Sequence, residues 1–584
     1  MESHFLPPRS FPAPIPAKIL YHHLHDEMEI QLSCRRSSIA SLPADVIREI
    51  FDHFKDRNLY HPTGAVNHEY RCNPNKENFK TVQALRLVCQ AFGRLASLLL
   101  LPALLVEIST ESLSRAEQLT RNPDIAAGIR LVRVSLAYRP EEIAQSPILY
   151  RDQQLEILWS LHHTAVERSG FGRADLGGKL SECDPESKKG KILKGISRYK
   201  LAIQARSTWP CEKPEEPADA ATDEESASCY RHFLSQCYDE YVQQYHDQER
   251  ALGTFATSLA VSISRLPYIR LLAFYERPKH FVYEYGAKDP LDIAAIDKSE
   301  LRQLMVAAHS WSDLEFRPTP HIHSIKLLWQ LPIAIYNTGI QLRGLHVEPF
   351  PVKTHLDKLE PYDEDSIPAW KTLCAAFGSL EHVGIDTGTL QKAQLLVNEQ
   401  AYVNRYIQAA LYGPCLERTI IDLAGFGPQD RVHPVDCTEY HSLGSVLSGM
   451  KCQNLRMLSI WSVSFDTEKE LLGFLAGTGE KLQRLTLFKV GLKEGGWTEA
   501  LRMLRNKFLM APQRSTMHDV DIHYLYGGGF EKAKKEAMER ARAALDPDAE
   551  FYSYEEDDRY WKRVTRYVQG LKEANPVSRF EERG

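Results

Sequence analysis

The feature that most constrains this 584-residue chain is a short apolar pattern that keeps returning: an apolar residue, two of any kind, an apolar residue, one of any kind, and a third apolar residue. It stands at Ile129/Val132/Val134, Leu266/Ile269/Leu271, Ile322/Ile325/Leu327, Leu342/Leu345/Val347, Leu380/Val383/Ile385, Leu455/Leu458/Ile460, Leu482/Leu485/Leu487 and Met517/Val520/Ile522, with a weaker copy at Leu416/Thr419/Ile421. The last two positions of each copy are two residues apart, the period that sends side chains to one face of a strand. A chain that repeats one short strand has to bury the apolar face of each against its neighbours and its own return segments, so the copies are expected to stack.

The clearest pair begins at Leu455 and Leu482, 27 positions apart. Leu471, Leu472 and Leu475 fall at helical spacing between them, and Trp497, Leu501 and Leu504 do so after the second. This alternation resembles the leucine-rich repeat, whose units run about 20 to 29 residues. The expectation is an α/β fold: an irregular leucine-rich-repeat-like solenoid of short parallel strands plus helices over residues 107–529. Other copies are farther apart, so helices and loops of unequal length must lie between them. No copy falls between Tyr138 and Tyr230; there Leu155 to His163 reads as helix, and 209–228, rich in Pro, Ala, Asp, Glu and Ser, reads as a disordered acidic loop. From Tyr230 onward, Phe233, Leu234, Cys237, Tyr238, Tyr241, Val242 and Tyr245 make a core-facing helical stripe. Ala533, Ala537, Met538, Ala541 and Leu545 predict one C-terminal helix, and Trp561, Val564, Tyr567, Val568 and Leu571 another. Residues 530–584 are read as a helical cap over the last repeat.

Upstream of the repeats, Leu42-Pro43 opens a helix in which Val46, Ile47, Ile50, Phe51 and Phe54 recur at three- and four-residue spacing. A second stripe runs through Val82, Leu85, Val88, Cys89, Phe92 and Leu95. The opening Leu-Pro, the Ile-Phe of the first helix and Leu85-Arg86-Leu87-Val88-Cys89-Gln90-Ala91-Phe92 resemble the F-box, the helical module that attaches substrate receptors to the adaptor of a Skp/cullin/F-box ubiquitin ligase. The resemblance covers about an eighth of the chain. It implies adaptor contacts from Leu42, Pro43, Val46, Ile47, Ile50, Phe51, Leu85, Val88 and Phe92. It also implies a module over 38–106, departing from the family in an insert, 55–80, read as a solvated surface insertion. The proline-rich residues 1–37 read as a disordered tail.

Composition narrows the function classes. A net charge of −6 is mild for this length and argues against a general nucleic-acid surface. The 11 cysteines include no Cys-x-x-Cys pair, which leaves neither a zinc ribbon nor a redox motif. No apolar signal segment opens the chain, and the greasiest run, Leu98 to Val106, is far short of a membrane span. The expected location is cytoplasmic, nuclear or both. Gly477-Thr478-Gly479-Glu480-Lys481 lacks the spacing of a phosphate loop, and neither a nucleophile elbow nor a metalloprotease helix is written in the chain. No catalytic residue, metal or cofactor is expected.

The sequence therefore points to a non-enzymatic substrate receptor that binds the adaptor through its N-terminal helices and a target protein through the repeats. The alternatives are a repeat scaffold without a ligase role and an enzyme whose site is assembled from distant residues. Alternation turns the residues beside the apolar positions toward the open surface. Met457, Ser459 and Trp461, then Arg484, Thr486 and Phe488, then Asp519, Asp521 and His523 are expected as three adjoining rungs. Trp461, Arg484, Phe488, Asp521 and His523 are the candidate substrate contacts.

Overall fold

Every buried strand must hand its backbone amides and carbonyls to a neighbour, and in this chain each rung hands them to the next. The computed structural model describes residues 76–169, 187–207, 224–275, 296–309, 311, 323–348, 350, 356–361, 369–387, 395, 397–426, 440–510, 519–528 and 554–571. From Leu101 onward they form a mixed α/β structure around an eleven-stranded sheet. The strands are β1 (Ala103–Val106), β2 (Leu131–Ser135), β3 (Leu271–Tyr275), β4 (Gly344–Glu348), β5 (His382–Asp386), β6 (Arg418–Asp422), β7 (His441–Ser442), β8 (Met457–Thr467), β9 (Arg484–Glu494), β10 (Asp519–His523) and β11 (Tyr526–Gly527). They lie in the order β1-β2-β3-β4-β5-β6-β8-β9-β10, with β7 against β8 and β11 against β9, and every pairing is parallel.

One hydrogen-bond motif recurs at the entry to the rungs. The Pro102 carbonyl accepts the Arg130 and Leu131 amides, the Arg130 carbonyl those of Arg270 and Leu271, and the Arg270 carbonyl those of Arg343 and Gly344. The relay continues through the carbonyls of Arg343, Glu381, Glu417 and Arg456, each taking two amides from the following rung. It locks the register, and two columns of side chains then point into one core. Leu104, Val132, Leu272, Leu345, Val383, Thr419, Leu458, Leu485 and Val520 form the first column; Val106, Val134, Phe274, Val347, Ile385, Ile421, Ile460, Leu487 and Ile522 form the second. All are buried.

Parallel neighbours need crossovers, which helices of unequal length supply. Their starts are written locally: Ser109 accepts the Ser112 amide at 3.1 Å, and Asp297 with Glu300 and Thr467 with Glu470 form capping boxes. Within Leu327–Asn337, Pro332 has no amide to give the Leu328 carbonyl four residues back. The fully buried Tyr406 hydroxyl donates to that carbonyl instead, at 3.0 Å. At the far edge the helix Tyr554–Val568 buries Trp561, Val564, Tyr567 and Val568. Its Thr565 hydroxyl accepts the Ile522 amide at 3.2 Å, meeting the edge of β10.

The structure corrects several expectations. Ile322/Ile325/Leu327 is not a strand: His323–Lys326 is a 3-10 turn running into the Leu327–Asn337 helix. The copy at Leu266/Ile269/Leu271 is slipped by three residues, since Val132 pairs with Leu272 and Val134 with Phe274. Leu271 therefore turns away from the core. Leu98 to Val106, noted in the sequence only as an apolar run too short for a membrane span, holds at Ala103–Val106 the first rung of the sheet. The helix Glu224–Leu252 takes in residues 224–228, which the sequence assigned to the acidic loop; 209–223 lie outside the described residues.

By its contacts the chain divides into Met1–Leu100 and Leu101–Gly584, so the module expected over 38–106 gives its last residues to the second unit. In the first unit the helices Lys76–Leu85 and Gln90–Leu100 pack through Val82, Phe92 and Ala96. Residues 76–80, assigned to a surface insertion, are helical. The stripe expected from Val82 to Leu95 is broken by a turn at 86–88, which leaves Leu87 88% and Val88 58% exposed. The tail 1–37, the rest of the insert and the helix expected at Ala533 to Leu545 lie outside the described residues.

Two stability predictions follow from this packing. Thr419 stands in an apolar column, and its buried hydroxyl has no hydrogen-bond partner among the described residues. Thr419→Val should raise stability by about 1 kcal/mol in urea unfolding; a lower midpoint would show that the hydroxyl is satisfied. Tyr406→Phe should cost about 1 to 3 kcal/mol by orphaning the Leu328 carbonyl. The loss should shrink in a Pro332→Ala background, where an amide returns. Equal losses in both backgrounds would refute this account of the proline.

Candidate binding face

Opposite the core, the first, third and fifth positions of each rung point to the other side of the sheet. The fifth positions form two runs in register, Ser135, Tyr275 and Glu348 on β2 to β4 and Asp386, Asp422, Trp461, Phe488 and His523 on β5 to β10. Together they make a row with an aromatic half and an acidic half.

The aromatic half holds the candidates named from sequence. Met457, Arg484 and Asp519 share one cross-strand line, Ser459, Thr486 and Asp521 the next, and Trp461, Phe488 and His523 the third. Met457, Ser459 and Thr486 are nonetheless buried, not laid open as expected. These side chains are short or lean under their neighbours: the Trp461 indole folds back to donate to the Ser459 hydroxyl at 2.7 Å. Trp461 and Phe488 are half-buried and packed together, with ring centroids 4.4 Å apart. Tyr524 meets Phe488 edge-on at 5.2 Å, and His523 lies 6.4 Å from the same ring. Arg484 pairs with Asp519 on the neighbouring strand at 2.8 Å, and His523 lies 2.6 Å from Asp521 on its own strand.

A backbone feature closes this half. Ser462, Lys489 and Tyr524, each directly after a row residue, have φ of 56°, 54° and 52°. The three stand at matching places, in β8, in β9 and just after β10, so the left-handed residue is a shared bend. It shifts the alternation by one. In β8 the core positions pass from Leu458 and Ile460 to Val463 and Phe465, and in β9 from Leu485 and Leu487 to Val490 and Leu492. Such conformations are strained for residues other than glycine, so the surrounding sheet must hold them in place. The bend brings the Lys489 ammonium 5.5 Å from the centre of the Phe488 ring.

The acidic half was not named from sequence. Glu348, Asp386 and Asp422 occupy three successive rungs, and His346 lies beside Glu348 at 3.3 Å. Gly384 makes room for that imidazole, because a Cβ there would stand 2.4 Å from its Nδ1. Asp422 is only 2% exposed. Burial first, and then the neighbouring Asp386 charge, raise its carboxyl to about 7, against the opposing pull of the Ala424 amide and Lys489. Each acidic residue directly follows the third apolar position of its copy, as do Trp461, Phe488 and His523. Aligning all copies, and not only the last three, would have exposed the row.

Of the adaptor candidates, Leu42, Pro43, Val46, Ile47, Ile50 and Phe51 lie outside the described residues. Phe92 is buried, Leu85 half-buried and Val88 exposed. The segment around Gly477 and Gly479 is a close backbone crossing: the Cys452 amide donates to the Gly477 carbonyl and the Gly479 amide to the Cys452 carbonyl, each at 3.1 Å. Among the described residues no cluster of His, Cys, Asp or Glu suits a metal, and no helix is long and apolar enough to cross a membrane.

The raised Asp422 carboxyl gives a signed pH prediction. Between the ordinary carboxylate range and about 7, the folded chain keeps a proton that the unfolded chain has released. Its contribution is therefore full at low pH and is lost as pH rises through that window. Asp422→Asn should flatten the pH dependence of the unfolding midpoint between about pH 4 and pH 7, and stabilise the chain at the upper end. A variant that loses stability toward the upper end would contradict this. No protein-family model, curated protein or solved structure matches the chain, so its function has to be argued from this face and from the N-terminal helices.

Proposed function

We propose that the chain is the substrate-recognition subunit of a Skp/cullin/F-box ubiquitin ligase. In this reading the N-terminal helices are the F-box, the rungs are an irregular leucine-rich-repeat-like solenoid, and residues 530–584 cap its end. The target protein lies on the face opposite the core, against Trp461, Arg484, Phe488, Asp521 and His523, and ubiquitin transfer belongs to the partners.

The observation that carries the reading is the extent of the face. Rungs of a sheet are about 4.8 Å apart, so the row from Tyr275 to His523, on seven strands, spans roughly 29 Å. That is the length of about nine residues of extended chain, which suits a polypeptide better than a small molecule. Its aromatic pair is the kind of anchor on which protein interfaces concentrate their affinity. The sequence resemblance supplies the adaptor, and the exposed Leu87 and Val88 are apolar surface that a partner would cover.

Burying a large apolar side chain is worth about 1.5 to 3 kcal/mol, so Leu42→Ala with Pro43→Ala should weaken binding of the full chain to a purified Skp-type adaptor tenfold or more. Unchanged affinity in a folded variant would remove the F-box reading and leave a repeat scaffold.

A further inference from the structure

Three carboxylates, Glu348, Asp386 and Asp422, follow one another on β4, β5 and β6. Farther along, Arg484 pairs with Asp519 at 2.8 Å, and His523 lies 2.6 Å from Asp521. Asp422 is the extreme case. It is 2% exposed, and the one hydrogen bond its carboxylate accepts among the described residues is from the Ala424 amide, at 2.9 Å. A carboxylate so far from water, with Asp386 in register beside it, stays costly until a cation or a proton joins it. The next two rungs carry the Trp461 and Phe488 rings, whose π faces attract ammonium and guanidinium groups. The Lys489 ammonium already uses one of them, at 5.5 Å.

We infer that the face takes an extended basic segment of a partner protein, with one Arg or Lys side chain over Asp386 and Asp422 and another on the Trp461–Phe488 pair. Two features point to this occupant independently: the withdrawn carboxylate, whose charged form a positive partner would stabilise, and the ring pair, which can accept one. Geometry sets the spacing. From the acidic pair to the ring pair is two rungs, about 9.6 Å. A polyproline II segment repeats its side-chain direction every three residues, over about 9.3 Å. Basic residues three apart therefore reach both positions from one side of the segment. Guanidinium fits the carboxylates better than ammonium does, because it can donate to two oxygens at once.

The inference rests on the reading that this face holds a polypeptide, and the test separates the two. The full chain is titrated by fluorescence anisotropy with a labelled nonapeptide carrying Arg at every third position among Ala and Pro. A twin carries Glu in place of Arg. The Arg peptide should bind at least tenfold more tightly than the twin, and added salt should weaken it. Asp386→Asn with Asp422→Asn should weaken it about tenfold or more without lowering the unfolding midpoint, and Trp461→Ala should weaken it several-fold. No binding of the Arg peptide, equal binding of the twin, or unchanged affinity in the double Asn variant would overturn the inference. Adaptor binding is measured on the same preparations. Adaptor bound without the Arg peptide removes this inference alone; charge-dependent peptide binding without adaptor removes the ligase reading alone.

Discussion

The relay of carbonyls at the entry to the rungs is the constraint on which the rest of the structure depends. From Pro102 to Arg456 each of these oxygens takes two amides from the following rung, so the start of one strand fixes the start of the next. Register in a sheet is all or nothing, because a slip of one residue would exchange the core columns for the open face. With the entry fixed, what lies between rungs can vary widely. Among the described residues, the connection from β2 to β3 holds three long helices and two short ones, whereas that from β8 to β9 holds Glu468–Gly477. Loop closure costs rise only slowly with length, so such unequal crossovers are tolerated.

The same constraint decides what the sequence could reveal. Where a copy sits in a regular frame, as at Leu345/Val347 and Leu458/Ile460, apolar alternation is enough to find the strand. It misleads where apolar residues are too dense. Leu266 and Ile269 are buried in the approach to β3, and their presence shifted the frame by three residues. Ile325, Leu327, Leu328 and Leu331 are all fully buried, and such a run suits a helix within the core as well as a strand. β1 escaped notice because Leu98 to Val106 is apolar throughout: the run covers the end of one helix, a proline and a strand, and periodicity cannot divide them. The turn at 86–88 was hidden for a related reason, since residues on both sides of it are apolar enough to look like one helix.

The face was legible in part. Trp461 and Phe488 attract notice because a large aromatic pointing away from a core needs an explanation, and the register does bring them side by side. Glu348, Asp386 and Asp422 attract none when read singly, because an acidic residue after a strand is ordinary loop chemistry. Their meaning comes only from pairing. Asp386 and Asp422 are far apart in the chain yet opposite one another on β5 and β6. Burial is likewise invisible from sequence: nothing local to Asp422 distinguishes a solvated carboxylate from one that is 2% exposed.

A fold optimised for stability alone would not keep these features together. Three left-handed residues at matching places, a carboxylate withdrawn from water and a like charge beside it each work against the folded state. They lie within a few rungs of one another, on the side of the sheet away from the core, while the inward columns that supply stability are uninterrupted apart from Thr419. Departures from local preference that cluster in this way are characteristic of surfaces selected for binding. The cluster also divides the work of the sheet between its two sides. The core columns hold each rung against its neighbours, and the bend that follows Trp461, Phe488 and His523 fixes where those side chains stand. Under the proposed function, a partner would meet rings and carboxylates that are already in position, which leaves little ordering cost on binding.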